Sequence, residues 1–175
     1  MSLKEKIDVR QLEPGHVFLA SFLAGLNQIG MLNQASVNIA ARRAGSYLAE
    51  YVKAVSRGNV LHDTLEENPA AALNRLDEML GLATEMKVFT DGNITTCKIT
   101  SSTCKFCPKG VGEAELEGTI CPYPGLFEEY LNGVLPEGET LKLVVTNRKS
   151  LIKQDQSCII EFKSDQKTNA FSISF

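Results

Sequence analysis

Cys104, Cys107 and Cys121 fall within the stretch CKFCPKGVGEAELEGTICPYPG, residues 104–125, and Cys158 stands further on; Cys97 completes the five cysteines. In Cys104-x2-Cys107 the two intervening residues let both sulfurs point at one centre, as in a zinc knuckle, where the turn also aims backbone N–H groups at thiolates. Gly110, Gly112 and Gly118 allow the following loop to fold back and bring Cys121 to the pair. Three close cysteines and a distant one could therefore close a four-thiolate tetrahedron, so the expected metal ligands are Cys104, Cys107, Cys121 and Cys158 around a structural zinc. Other readings stay open. An iron–sulfur cluster also accepts four cysteines, and unligated cysteines pack well in cores. Thioredoxin-type chemistry fits less well, because Pro108, Gly110 and Gly112 delay the helix that such a pair opens. Cys97 alternates onto the apolar face of a β-prone run and reads as core, with a reserve role as ligand.

Other catalytic chemistry has little support. His16 and His62 are the two histidines. One is at a helix start, the other in a polar connection, and neither joins a recognisable nucleophile or carboxylate pattern. No GxSxG, P-loop or GxGxxG occurs, and Glu113–Glu117 reads as a solvated face. The sequence thus points away from an enzyme. A net charge of −3 without a basic run argues against nucleic acid. The longest apolar stretch, Val17–Leu26, is about half of the roughly twenty residues a membrane span needs. The N-terminus lacks the apolar core of a signal peptide. A cytoplasmic protein with reduced thiols is expected.

The elements that must position the cysteines change character midway. Residues 14–86 read as helical. Pro14-Gly15 opens a first helix over HVFLASFLAGLNQIGML. In a second helix Val37, Ala41, Ala44, Leu48, Tyr51 and Val55 recur at helical spacing, and Ala40, Ala41, Ala44 and Gly45 permit close backbone approach. Gly58 reads as its stop. Asn68-Pro69 opens a third helix, expected to fade near Met86. Residues 87–175 read as sheet and metal loop. Asp91-Gly92 marks a hairpin, and Thr95, Cys97 and Ile99 share one strand face. A helix over 125–135 follows, then strands TLKLVVTN, SCIIEFKS and a last one at AFSISF. One domain over 1–175 is expected: α+β, N-terminal helices packed on an antiparallel sheet with one inserted helix.

Cys121, the helix Gly125–Leu135, and Cys158 followed by Phe162 together resemble the 4-vinyl reductase domain family of small-molecule or hydrocarbon-binding modules. The helix NIAARRAGSYLAEYVKAV fits that family's upstream helix. The resemblance spans roughly residues 15–165 and is strongest over 115–163. It departs at Ser150, where the family pattern has a cysteine, and so implies a ligand set shifted to Cys104 and Cys107. It implies a fold akin to the bet-family subunits of the TRAPP tethering complex, a pocket near the zinc segment, and a homodimer.

The function expected from these features is a non-catalytic binding or sensory domain for an apolar or aromatic molecule. Its candidate pocket residues are Phe18, Phe22, Tyr47 and Tyr51 from the helical half. Phe106, Tyr123 and Phe127 join them from the cysteine segment and its helix. The alternatives are a protein-interaction scaffold of the tethering-subunit type, with the greasy first helix in an interface, and an accessory role in tetrapyrrole vinyl reduction.

Overall fold

The computed structural model describes residues 2–56, 68–115 and 120–165. Gly58, His62, Glu117, Gly118 and the expected strand at 170–175 lie outside them. The described elements are α1 (Leu3–Arg10), α2 (Pro14–Gln28), α3 (Gln34–Ser56), α4 (Pro69–Leu80), β1 (Met86–Asp91), β2 (Ile94–Thr100), α5 (Tyr123–Val134), β3 (Leu141–Leu143), β4 (Ile152–Gln154) and β5 (Ser157–Ser164). The fold is α+β, with helices packed on an antiparallel sheet of order β1-β2-β5-β3, and β4 also paired to β5. β3 pairs with the C-terminal end of β5 and β4 with its N-terminal end, so the two lie end to end along one edge.

Local chemistry explains most boundaries. Asn68 caps α4, its side-chain oxygen accepting from the Ala71 N–H at 2.9 Å, and Pro69 occupies the first turn. α4 ends at Leu80, earlier than the expected fade near Met86. Gly81 takes a left-handed φ of +57° and donates to the Asp77 carbonyl, while the Asp77 carboxylate accepts from the Leu82 and Ala83 N–H groups. That cap frees Met86 to begin β1. The expected strand over TLKLVVTN shrinks to Leu141–Leu143. Beyond it the chain turns at Asn147 and Arg148, both with positive φ. Two elements are additions to the expected set: β4, and α1, which a Ser2–Glu5 capping box initiates.

α5 is the centre of the packing. Tyr123, Phe127, Tyr130 and Leu131 are almost fully buried between α3 and the sheet. The buried stripe of α3 is Val37, Ala41, Gly45, Ala49 and Val52, rotated from the expected face, and Tyr51 and Val55 are exposed. α5 docks on the smallest residues available, and Gly45 lets its backbone close onto that of Leu126 and Tyr130. Polar side chains then tie α5 to β3. Glu128 pairs with Arg42 and accepts from the Leu143 N–H at 2.8 Å; Asn132 exchanges two hydrogen bonds with the Leu141 backbone. On β2, Thr95, Cys97 and Ile99 form the buried row, and Cys97 sits in the core. Among the described residues no helix is long and apolar enough to cross a membrane.

Candidate functional site

The register of β2 on β5 is what carries Cys158 to the other cysteines. Cys158 stands opposite Ile99, in the buried row of β2, and Lys153 of β4 lies opposite it on the other side. β2 then runs into a turn closed by the Thr103 N–H donating to the Thr100 carbonyl, and Ser101 is tied to the Gln156 carbonyl at the start of β5. Cys104 follows at once, bridged to Ala83 after α4. From the other direction Cys121 is fixed by Gln34. The Gln34 side chain accepts from the Cys121 N–H and donates to its carbonyl, both at 2.9 Å. The result is a small cavity of about 50 Å³ whose wall includes Cys104, Cys107, Cys121 and Cys158, with Lys109 and Lys153 beside them. All five cysteines are free thiols. Among the described residues no group of three or more His, Cys, Asp or Glu side chains stands ready-arranged around a metal position.

Backbone and side-chain donors face these sulfurs. The Gly110 N–H donates to Cys107 Sγ at 3.2 Å, and the Lys109 N–H also points to it. The Tyr123 N–H serves Cys121 in the same way. A hydrogen bond from the Cys104 thiol, helped by the Gly110 N–H and the charge of Arg10, brings Cys107 down to about 6 against its burial. Cys104 is pushed up, by that same hydrogen bond and then by burial. Burial raises Cys121 and Cys158, and lifts Cys97 to about 12. The arrangement favours one negative sulfur, Cys107, among protonated neighbours.

Arg10 is an unexpected part of the site. It is buried at the end of α1, and its Nη1 donates to the Ser101 carbonyl at 3.2 Å and to the Cys104 carbonyl. Its Nε has no hydrogen-bond partner among the described residues. Lys6, one turn earlier and also buried, pairs with Glu113 at 2.6 Å. α1 therefore docks on the cysteine loop through its cations, which is why apolar periodicity does not reveal it.

A second cavity, of about 440 Å³, lies between α2, α3 and the N-terminal end of α5. α2 contributes Leu19, Phe22, Leu23 and Leu26; α3 contributes Ala40 and Ala44 among others. Among the described residues that line it only Tyr123 carries a polar side-chain atom, and that hydroxyl donates to the Leu82 carbonyl at 2.7 Å. α2 is seated on the cysteine loop as well. Ala20, Leu12 and Val111 form a separate small core, and Gly112 lies against the Ala20 backbone. His16, buried at the start of α2, accepts from the Glu13 N–H at Nδ1 and donates from Nε2 to the Leu80 carbonyl. Its ring meets Phe106 edge-on at 4.9 Å.

The expected pocket residues separate. Phe22, Phe106 and Tyr123 line the large cavity. Phe127 is fully buried in the core, stacked on Tyr123 at 5.0 Å. Phe18, Tyr47 and Tyr51 are exposed and lie off its lining. The aliphatic wall lies outside the expected pocket set, although Leu19, Leu23 and Leu26 recur at helical spacing in the sequence. Two wall residues connect the cavities: Tyr123 lines both, and Phe106 sits between the two cysteines of the knuckle.

The sequence model of the MJ0207 family matches residues 30–164, most of the chain and all the elements from α3 to β5. A curated relative, described as uncharacterized protein MJ1342 of Methanocaldococcus jannaschii, is 33% identical over 60 residues, 34% of this chain and 52% of that relative. The chain thus spans about half the length of the relative it matches. These findings overturn the resemblance to the 4-vinyl reductase domain family. Its pattern of a cysteine, a helix, strands and a second cysteine is a loose one, and Ser150 departs from it. The chain belongs to the MJ0207 family.

Proposed function

We propose that this protein is a non-catalytic binding or sensory domain for a small apolar molecule held between α2, α3 and α5. The observation that carries this reading is the cavity of about 440 Å³ with its apolar wall. The volume lies within the ~300–1,000 Å³ range of ligand pockets. The Tyr123 hydroxyl is already engaged, so a ligand group needing hydrogen bonds would lose its water without compensation. The buried part of the ligand is therefore hydrocarbon or aromatic. Five free thiols support a reducing, cytoplasmic setting.

The neutral fluorophore N-phenyl-1-naphthylamine tests this. Its emission should rise saturably at one probe per chain. Ala44→Phe should weaken that binding by at least about tenfold, because Ala44 faces the cavity and is open to it rather than packed. For the same reason the variant should unfold within about 1 kcal/mol of the native chain. Unchanged probe binding in a folded Ala44→Phe variant would place the probe elsewhere and defeat the reading.

One further observation favours a second reading, an interaction surface. Phe18 and Phe22 on α2 and Ile39, Tyr47 and Tyr51 on α3 are each more than half exposed. Such side chains mark contact surfaces when they gather in patches, and Phe22 stands at the cavity as well. The occupant in this reading is a second copy of the chain. Light scattering should then give twice the chain mass at micromolar concentration, and Phe22→Asp should return the monomer mass. A monomer at all concentrations would dismiss the homodimer.

A further inference from the structure

We infer that the small cavity between the cysteine loop and β5 is a tetrathiolate site for one zinc ion, with Cys104, Cys107, Cys121 and Cys158 as ligands. The inference stands on placement and does not depend on the apolar-ligand reading. Three separate pieces of the fold deliver the four sulfurs to one cavity. They are the knuckle that follows β2, the segment before α5, and the inner face of β5. Cys97 is fully buried in the core and lies off the lining of this cavity. A volume of about 50 Å³ leaves room for an ion between the lining sulfurs and is far below the ~300 Å³ at which organic-ligand pockets begin.

The surroundings are those of an anionic centre. Zinc with four thiolates carries two net negative charges, which a dry site must offset. Arg10 is buried beside the knuckle without a carboxylate partner among the described ion pairs. It packs so closely on Gly110 that a methyl group there would come within 2.8 Å of its Nη2. Lys153 stands opposite Cys158 in the sheet. The Gly110 N–H already donates to Cys107 Sγ, the outer-shell bond a thiolate ligand takes. The sulfurs line the cavity without yet facing a common point, and rotation about the Cα–Cβ bonds of the cysteines is what closes the sphere. Ligation forms four Zn–S bonds, sheds the water of the incoming ion, and releases the protons of the ligating thiols to solvent. No electron is transferred.

The test uses the full chain, purified under reducing conditions, stripped of metal and titrated with zinc against a chromophoric chelator. One zinc per chain is expected. Cobalt in its place should give the intense visible absorption of a tetrahedral thiolate complex, a readout that needs no variant. Cys121→Ser and Cys158→Ser should each weaken zinc by more than the roughly 100-fold of a lost outer-shell partner; Cys97→Ser should keep full stoichiometry. Three results would overturn the assignment. They are less than half a zinc per chain at saturation, loss of zinc in Cys97→Ser, and full affinity in Cys158→Ser. An iron–sulfur chromophore in the freshly isolated protein would also overturn it, in favour of a cluster on the same four thiols.

Discussion

Gly45→Val is expected to lower unfolding stability by about 3 kcal/mol or more, read from urea denaturation followed by circular dichroism. Gly45 lies in the buried stripe of α3, and a Cβ there would press on the backbone carbonyl of Leu126 and the backbone nitrogen of Tyr130. Neither neighbour is the end of a flexible side chain, so relief requires α3 and α5 to move apart. That movement would loosen the whole row of Val37, Ala41, Ala49 and Val52 against α5. It would also strain the Arg42–Glu128 pair, and through Glu128 the hold of α5 on β3. A loss under about 1 kcal/mol would show that α3 and α5 are not packed backbone to backbone, and the account of the core would fail.

Gly45 also shows how far the sequence could be read. Its smallness pointed to close approach, and the approach is there. What the sequence does not supply is the partner: helical spacing puts Tyr51 and Val55 on the inner face of α3, and both are exposed. Ala44 and Gly45 read alike in the sequence as residues of close approach, yet Ala44 opens onto the apolar cavity while Gly45 meets α5. Neighbouring small residues on a helix serve opposite ends, and only the packing of the next element separates them.

The hairpin at Asp91-Gly92, the Asn68 cap and the inward row of β2 were legible because each is local, fixed by dihedral preference or by a period of two. The gathering of four cysteines was legible as a possibility from spacing alone, and its realisation depends on the β2–β5 register. α1 was illegible to periodicity. It buries Lys6 and Arg10 and leaves Ile7 and Val9 exposed, the inverse of the rule that marks a helix face. Its capping box, Ser2 and Glu5, was the one signal in the sequence.

Phe127→Ala and Phe18→Ala delete the same atoms and should differ widely. Phe127 is fully enclosed, stacked on Tyr123, and in the core between α3 and the sheet. Its loss removes apolar burial and leaves a cavity that the surrounding α5 residues cannot fill without shifting. A cost of about 3–5 kcal/mol follows, or roughly 6–20 °C in thermal midpoint for a chain of this size. Phe18 is 69% exposed, and among the described residues its one aromatic contact is a stacked pair with Phe22 at 5.9 Å. Its removal should change the stability of the monomer by no more than about 0.5 kcal/mol. The comparison also separates fold from association. If the aromatic side chains of α2 pack against a second copy, Phe18→Ala will lower the midpoint only at concentrations where the dimer forms, while Phe127→Ala will lower it at every concentration. A large loss in Phe18→Ala that persists on dilution would mean that α2 is covered within the monomer, and both the exposed face and the interaction reading built on it would have to be withdrawn.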